Sequence, residues 1–385
     1  MMNSRDAVIV AYGRSACCRA RKGAFANMHP VDYAAQTLQG VLAKVPALKP
    51  EQIDDVIVGC AMPVNEMDYN AGRVIARRAG LPNSAAGQTI NRFCSSGLQA
   101  IANAVGAIQA GFADCIVAGG TEAMSKCFMP YPEQYRNAWL DAHDEGTYMP
   151  MGETAERVAD KYHVTREQMD QMAVGSHAKA HRAQQEGKLA PSIVPVTNDA
   201  GQVITQDEGI RPGTTLETLS TLKPCFRPDG RVTAGTSSQT TDAAAFVVVM
   251  SAGMAQELGI QPIARLAGFA VAGCEASLMG LGPIYAVPKV MERSGLTIQD
   301  MAAIELNEAF AAQALVCIDQ LGLPTERVNP YGGAMALGHP MGATGAFLTC
   351  KLLDYLKDND GTYGMVTMCV GGGMGAAGIF ERLNQ

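Results

Sequence analysis

The stretch Ile53-Asp-Asp-Val-Ile-Val58 returns later in the chain as Met301-Ala-Ala-Ile-Glu-Leu306, alike in hydrophobic pattern although not in every letter. Leu48 and Leu296 precede the two stretches at the same spacing, 248 positions apart. Two further pairs keep this order at offsets of 245 and 251 positions: Cys94-Ser-Ser-Gly97 with His339-Pro-Met-Gly342, and Val117-Ala-Gly-Gly120 with Met368-Cys-Val-Gly371. Ordered matches at a nearly constant offset indicate a duplication, so we predict two similar halves.

Short runs of β-branched and other apolar residues recur along the chain and are typical of buried strands. They lie at Asp6–Tyr12, Asp54–Gly59, Asp114–Ala118, Ala245–Met250, Ala303–Leu306 and Gly364–Val370. Between these runs, apolar residues at helical spacing, such as Leu98, Ile101, Val105 and Ile108, predict helices. The alternation of strands with helices predicts the α/β fold class.

The duplication also predicts how the chain is divided. Residues 1–120, joined by about 241–264, form the first half, and residues 265–385 form the second half. The insertion at 121–240 is richer in charge and in helical pattern, and we expect it to cap the site. The run Ala243–Met250 is expected to return the chain to the first sheet.

The overall composition excludes several classes of function. The chain has 385 residues, a net charge of −7 and a pI near 5.4, whereas a nucleic-acid-binding protein usually carries a basic face. No segment approaches the length of a membrane span, and the apolar run at the N-terminus is too short for a secretion signal. The eleven cysteines include no Cys-x-x-Cys pair, so neither a zinc site nor a redox dithiol is expected. These features predict a cytoplasmic protein without a metal.

Cys94 and His339 are the first candidates for catalysis. Cys94 follows a strand-like stretch, and a helix is predicted to begin at Ser95 or Ser96. A thiol at that junction lies at the positive end of the helix dipole, which lowers the pKa of the sulfur, although most cysteines are buried structural thiols. His339 lies in a glycine-dense loop, Gly332–Gly345, before another helix. Because equivalent positions of the two halves face each other across a pseudo-twofold axis, this nucleophile and base are expected to converge.

Two further candidates stand where strands end. Cys369 lies at the end of a strand-like run. It is either an acid/base that transfers a proton to or from a carbon atom, or a structural thiol packed in the core. Gly371 offers a backbone N–H group beside it. Asn307 follows the predicted strand at Ala303–Leu306, and it either holds a water and stabilises an oxyanion or caps a turn.

Four motifs resemble, in order and spacing, the active-site motifs of the thiolase family: NRFCSSG at 91–97, NEAF at 307–310, GGAMALGHPMGATG at 332–345 and CVGGGMG at 369–375. GGTEAMS at 119–125 and TAGTSS at 233–238 resemble it too, so the likeness covers essentially the whole chain. It implies a duplicated fold in αβαβα layers with an inserted cap. It also implies an acyltransferase of fatty acid β-oxidation that cleaves 3-ketoacyl-CoA. Such an enzyme would use coenzyme A as a substrate, need no cofactor, and form a homodimer or homotetramer.

The resemblance implies a role for each reactive residue. Cys94 is acylated while His339 accepts its proton. Cys369 protonates the departing acetyl-CoA enolate and then deprotonates the incoming coenzyme A. The backbone N–H groups of Cys94 and Gly371 form one oxyanion hole, and His339 with a water held by Asn307 forms the other. One preorganised donor of this kind is typically worth about 10²–10³ in rate.

By the same resemblance, the insertion would grip coenzyme A. Arg211, Thr218 and Ser238 fall where the family has nucleotide and pantetheine contacts, and Met151 falls near the acyl pocket. From the residues alone, Arg211 is as readily an exposed arginine with no ligand.

Several other functions share parts of this pattern. A decarboxylating ketoacyl synthase would have the duplicated fold and the cysteine, but a second histidine is expected where this chain has Asn307. A Cys–His hydrolase would not use Cys369, and a coenzyme A-binding scaffold without activity would not need every reactive position filled. A biosynthetic acetyl-CoA C-acetyltransferase, which makes acetoacetyl-CoA, is the alternative within the family. Many such enzymes have a histidine where Pro150 precedes Met151-Gly152, so the degradative type is favoured.

Overall fold

One mixed sheet of ten strands runs through the molecule in the computed structural model, which describes residues 3–127 and 131–383. Its order is β10-β11-β12-β9-β1-β8-β5-β3-β4, with β2 paired to β8, while β6 and β7 form a separate hairpin. The strands are β1 (Ala7–Arg14), β2 (Cys18–Arg19), β3 (Asp55–Gly59), β4 (Gln88–Ile90), β5 (Cys115–Ala123), β6 (Val196–Thr197), β7 (Val203–Ile204), β8 (Thr241–Ser251), β9 (Ala264–Gly273), β10 (Met301–Leu306), β11 (Tyr363–Val370) and β12 (Met374–Arg382).

The pairing pattern of the large sheet repeats on either side of its centre. In the first half β3 is parallel to β5, and β5, β8 and β1 follow as antiparallel neighbours. In the second half β10 is parallel to β11, and β11, β12 and β9 follow in the same way. The halves meet where β1 and β9 pair at Ile9 and Ala264. The predicted duplication is therefore confirmed in the order and direction of the strands.

Helices cover both faces of this sheet. They are α1 (Pro30–Leu42), α2 (Ala71–Arg78), α3 (Ser96–Gln109), α4 (Ala138–His143), α5 (Met151–Lys161), α6 (Arg166–Gln185), α7 (Leu216–Ser220), α8 (Ala252–Glu257), α9 (Gly282–Ser294), α10 (Ala311–Leu321), α11 (Ala334–Leu337) and α12 (Met341–Asp358). Among the described residues, none of these helices is both long enough and apolar enough to cross a lipid bilayer.

Alternation along the strands separates the helical layers. Ile57 of β3 packs into a core with α3 and α12, whereas its neighbours Val56 and Val58 pack on the opposite face with α1 and α2. In the second half, Val366 of β11 joins the same central core, and Met365 faces α9 and α10 instead. Successive side chains of a strand point to opposite faces, so α3 and α12 lie between the two halves of the sheet. The expected αβαβα layering is confirmed.

The inserted segment folds as helices that pack near the end of the second half. Val158 of α5 and Met169 of α6 belong to one buried cluster together with Phe310, Met335 and Cys369. The strand β8 then returns the chain to the sheet between β1 and β5, as predicted for Ala243–Met250. The insertion therefore lies against the strand end that carries Cys369.

Candidate active site

The starts of α3 and α12 lie side by side at the centre of the molecule. A Cβ atom added at Gly97 would lie 2.9 Å from the carbonyl oxygen of Gly342, so the two first turns approach too closely for any larger residue. Cys94 lies two residues before α3, and His339 lies two residues before α12. The duplication thus brings the two candidates to neighbouring helix starts.

A tight turn places Cys94 at the start of its helix. The residue before it, Phe93, has φ +43°, a left-handed conformation that a bulky side chain rarely adopts. Hydrogen bonds hold this turn: the Phe93 N–H donates to Asn91 Oδ1 at 2.8 Å, and the Ser96 hydroxyl donates to the Phe93 carbonyl at 2.7 Å. Backbone strain of this kind persists where the surroundings enforce it, and it is concentrated at functional sites.

The Cys94 thiol is buried, with 9% of the residue exposed. Burial raises the pKa of the thiol to about 11, although hydrogen bonds from the backbone N–H groups of Gly371 and of Cys94 itself favour the thiolate. The prediction that this pKa is lowered at the helix start is therefore wrong for the resting site. Desolvation of the sulfur outweighs the donors, so a base must remove the proton when the thiol reacts.

A glycine turn directs the second N–H group at this sulfur. Strands β11 and β12 are joined through Gly371, Gly372 and Gly373, and the last two have φ +78° and +81°, which favour glycine. Phe93 and Met151 flank this turn, since a Cβ added at Gly371 would lie 3.6 Å from Phe93 Cγ and 3.8 Å from Met151 Sδ. Gly371 and Met151 therefore lie beside the turn that carries the candidate nucleophile.

The imidazole of His339 is buried and oriented from two sides. Its Nδ1 lies 2.6 Å from the Thr344 hydroxyl, and Asn307 Nδ2 lies 3.4 Å from Nε2 and 3.5 Å from Nδ1. Burial lowers the pKa of His339 to about 4, so the ring is neutral near pH 7. If Nδ1 carries the proton and donates to Thr344, Nε2 is left as the acceptor for a proton from a nucleophile.

The side-chain amide of Asn307 has a buried oxygen in addition to the nitrogen that lies beside His339. Asn307 Oδ1 is buried, and no hydrogen-bond partner for it lies among the described residues. The backbone N–H of Asn307 donates to the Thr367 carbonyl at 2.9 Å, which fixes the residue against β11. A buried acceptor of this kind is a place where a water or a substrate group binds.

Thr344→Val is expected to lower kcat/KM for acyl transfer by about tenfold or more. Valine keeps the shape of threonine but removes the hydroxyl that selects the tautomer and holds the ring of His339. Steady-state kinetics on the purified variant would measure this loss. Thr349→Val, which removes a buried hydroxyl bonded at 2.8 Å to Gly345 within the same helix, is the control that should keep its activity.

Cys369 lies at the end of β11, fully buried. Burial raises the pKa of its thiol well above the ordinary value, and a negative charge on Cys94 would raise it further. The glycine turn that follows Cys369 lies against Phe93, so the two cysteines lie on adjoining segments. Cys369 is therefore a neutral thiol next to the candidate nucleophile, a form suited to giving up a proton.

Two buried carboxylates near these residues were not assigned a role from the sequence. Glu308 accepts hydrogen bonds from Ser176 at 2.7 Å, Asn329 at 2.9 Å and the Met335 N–H at 3.2 Å, and so it fixes the loop that leads to His339. Glu122 contacts the start of α12. Glu308 belongs to the NEAF motif and Glu122 to the GGTEAMS motif. An acidic residue within or directly after a buried strand is unusual, and that feature of the sequence could have identified both.

The residues expected to bind coenzyme A are spread along the insertion. Arg211 is exposed, with its backbone N–H donating to His177 Nδ1 at 3.1 Å. Thr218 lies in α7, and its N–H donates at 3.2 Å to the hydroxyl of the N-cap residue Thr215. Ser238 is half-buried, and its N–H donates at 2.9 Å to the carbonyl of Ala309, within the NEAF segment. Met151 and Ser238 are thus placed near the site, whereas the side chains of Arg211 and Thr218 have no described contact with it.

Comparisons with known proteins agree along the whole chain. The family models described as thiolase, N-terminal domain, and thiolase, C-terminal domain, match residues 7–253 and 260–382. The 3-ketoacyl-CoA thiolase of Bacillus subtilis is 45% identical, over 98% of this chain and 99% of the relative. The human peroxisomal 3-ketoacyl-CoA thiolase is 42% identical, over 98% of this chain and 91% of the relative.

Two solved structures share the fold. The dimeric peroxisomal thiolase of Saccharomyces cerevisiae superposes with a TM-score of 0.93 at 36% identity, covering 100% of this chain and 99% of its own. The acetyl-CoA acetyltransferase of Bacillus anthracis superposes with a TM-score of 0.91 at 38% identity, covering 98% of this chain and 99% of its own. With the family models matching both halves, the chain belongs to the thiolase family of enzymes.

Proposed function

We propose that this enzyme cleaves 3-ketoacyl-CoA with coenzyme A, giving acetyl-CoA and a shortened acyl-CoA. The observation that carries the proposal is that the glycine turn at Gly371 lies against Phe93, the residue before Cys94, with the backbone N–H groups of Gly371 and Cys94 beside the Cys94 sulfur. They are placed to stabilise the oxyanion that forms when this sulfur attacks a carbonyl carbon. Relatives at 45% and 43% identity over nearly the full chain are named 3-ketoacyl-CoA thiolases, which supports the same substrate class here.

In the proposed cycle, His339 takes the proton of Cys94 as the sulfur attacks the 3-keto carbon. The bond between C2 and C3 then breaks, and the electron pair leaves with acetyl-CoA as its enolate. The polar groups of His339 and Asn307 stabilise the enolate oxygen, and the Cys369 thiol gives its proton to C2. Coenzyme A, deprotonated by the Cys369 thiolate, finally attacks the acyl group on Cys94. The bond between the acyl carbon and Cys94 breaks, and the Cys94 sulfur takes back its proton from His339. The chemistry needs no resident cofactor, because coenzyme A takes part as a substrate.

Because each step is reversible, direction of use is a separate part of the proposal. We place the enzyme in the degradative direction, in fatty acid β-oxidation, with the biosynthetic formation of acetoacetyl-CoA as the second candidate. The absence of a histidine before Met151 and the names of the relatives favour degradation. The acetyl-CoA acetyltransferase of Bacillus anthracis is 38% identical, so the test below also includes the second candidate.

Thiolysis of 3-ketoacyl-CoA substrates of increasing chain length is expected to reach its highest kcat/KM on substrates longer than acetoacetyl-CoA. The assay follows loss of the 3-ketoacyl-CoA in the presence of coenzyme A. Turnover of acetoacetyl-CoA alone would overturn the degradative proposal in favour of the biosynthetic one. No turnover of any chain length would instead favour a coenzyme A-binding scaffold.

We further propose a cytoplasmic homodimer or homotetramer. The eleven cysteines, all within the described residues, are free thiols, as suits a reducing compartment. Two relatives carry names that place them in the peroxisome, so thiolases this similar do work in more than one compartment. The yeast structure is of a dimer, and size-exclusion chromatography with light scattering would measure the state of this chain.

A further inference from the structure

Glu122, near the end of β5, is fully buried and collects hydrogen bonds from both halves of the molecule. Its Oε2 accepts the N–H of Ala61 and the N–H of Gly342, each at 2.8 Å. Its Oε1 accepts the N–H of Met62 at 3.2 Å and the thiol of Cys60 at 3.5 Å. One carboxylate thus joins the loop after β3 to the second residue of α12.

These bonds continue on each side to the reactive residues. The carbonyl of Ala61 accepts from Asn91 Nδ2 at 3.1 Å, and Asn91 Oδ1 accepts the Phe93 N–H at 2.8 Å, in the turn that presents the nucleophile. On the other side, Gly342 lies three residues after His339. A continuous chain of hydrogen bonds therefore runs from the turn of the nucleophile, through Glu122, to the loop of the base.

We propose that Glu122 is a positioning residue that sets the placement of His339 relative to Cys94 by holding the start of α12 against the loop at 60–62. Gly342 fits this role closely, because a Cβ added there would lie 2.9 Å from Glu122 Oε2 and 2.7 Å from the Ala61 nitrogen. The inference rests on the proposed function, in which Cys94 is the nucleophile and His339 is the base. It adds a residue that does not touch the reacting atoms.

The charge of Glu122 supplies a second, independent effect on the site. Burial raises the pKa of Glu122 to about 7, and its negative charge in turn raises the pKa of Cys94. The other titratable groups that face it are the thiols of Cys60 and Cys127 and, at its backbone carbonyl, the Tyr33 hydroxyl at 2.7 Å. Burial raises the pKa of all three, so they stay protonated while Glu122 ionises near neutral pH.

Glu122→Gln removes the charge of this residue and disturbs one of its hydrogen bonds. Glutamine keeps one oxygen for the Ala61 and Gly342 N–H groups, but it carries no charge and places an NH₂ group against the Met62 N–H. Because a negative charge is removed, the pKa of Cys94 should fall, and its alkylation by iodoacetamide at pH 8 should become roughly threefold faster or more, since one pKa unit is tenfold in thiolate. Because that NH₂ group repels the Met62 N–H, the loop at 60–62 and with it the start of α12 should shift. The resulting displacement of His339 should lower kcat about tenfold while KM stays within about twofold.

Two further variants complete the experiment. Asn91→Ala breaks the chain at its other end and should lower kcat without accelerating alkylation. Asp354→Asn is the matched control: this buried acid accepts the Tyr12 hydroxyl at 2.9 Å near the far end of α12, and its loss should change neither readout per folded molecule. Alkylation profiles are read by mass spectrometry of the Cys94 peptide, and folding by thermal denaturation.

A Glu122→Gln variant with the wild-type kcat and the wild-type alkylation profile would overturn the proposal. So would equal slowing of both readouts in Glu122→Gln and Asp354→Asn, because that pattern reports only general destabilisation. If the unaltered enzyme fails to cleave any 3-ketoacyl-CoA, the proposed function fails. The alkylation profiles would still decide the link between Glu122 and Cys94, since alkylation needs no acyl-CoA substrate.

Discussion

Cys94→Ser is expected to abolish formation of the acyl-enzyme, with a loss of activity of about 10³-fold or more. The site already opposes ionisation of the sulfur, because burial raises the pKa of Cys94 to about 11. A serine hydroxyl loses its proton far less readily than a thiol, and the neutral imidazole of His339 is the base at hand. Serine nearly matches cysteine in size, so the turn and the helix should fold unchanged. Intact-protein mass spectrometry after incubation with acetyl-CoA measures the acyl adduct.

Cys225→Ser is the control for this experiment, since Cys225 is exposed and its loss should leave the adduct in place. The position of the adduct is then fixed by digestion and sequencing of the modified peptide. An undiminished adduct on Cys94→Ser would refute the assignment of the nucleophile. Loss of the adduct in both variants would point to a general effect on folding, which thermal denaturation detects.

Much of the fold was predictable because the repeated sequence pattern falls in strands that carry large apolar residues. β3 and β10 stand at matching places of the two halves, and both were identified from their β-branched or aliphatic residues. β9 and β12 were missed. Their sequences, ARLAGFAVAG and MGAAGIFER, are rich in alanine and glycine, which do not favour strands when read in isolation. Pairing with neighbours in the centre of the sheet holds them there.

The glycines of β12 also illustrate how tertiary packing sets a local choice. Gly375 lies against Gly282 at the start of α9, where an added Cβ would come within 2.0 Å of a backbone oxygen. This contact between strand and helix requires a small residue. A strand propensity scale takes no account of such contacts, so it does not predict glycine here. The segment Gly373–Gly378 is accordingly part of a turn and a buried strand.

At the candidate site, the sequence predicted which residues lie close together better than it predicted their electrostatics. The order of the motifs was sufficient to single out Cys94, His339, Asn307 and Cys369. It was not sufficient for the pKa of Cys94, because the helix start was visible in the sequence whereas the extent of burial was not. Glu122 was missed for a related reason: its partners at positions 61 and 342 are distant in sequence, and they meet it only after both halves have folded.

Cys369→Ala is expected to keep part of its acylation by acetyl-CoA while losing carbon–carbon bond turnover by about 10³-fold. The two half-reactions differ in what must receive a proton. Coenzyme A can leave as a thiolate, which is stable in water, so acylation of Cys94 proceeds without the second thiol. The acetyl-CoA enolate must instead be protonated on carbon, and Cys369 is the neutral thiol next to Cys94 that can supply that proton.

The measurement compares two assays on one protein sample. Mass spectrometry reports the acyl adduct on Cys94, and thiolysis of a 3-ketoacyl-CoA reports cleavage of the carbon–carbon bond. Cys317→Ala is the matched control, since Cys317 is also a fully buried thiol, but it lies in α10 and donates to the Gly280 carbonyl at 3.4 Å. It should perform both reactions. Normal thiolysis by Cys369→Ala would remove this residue from the mechanism and leave the protonation of carbon to His339 or to a water.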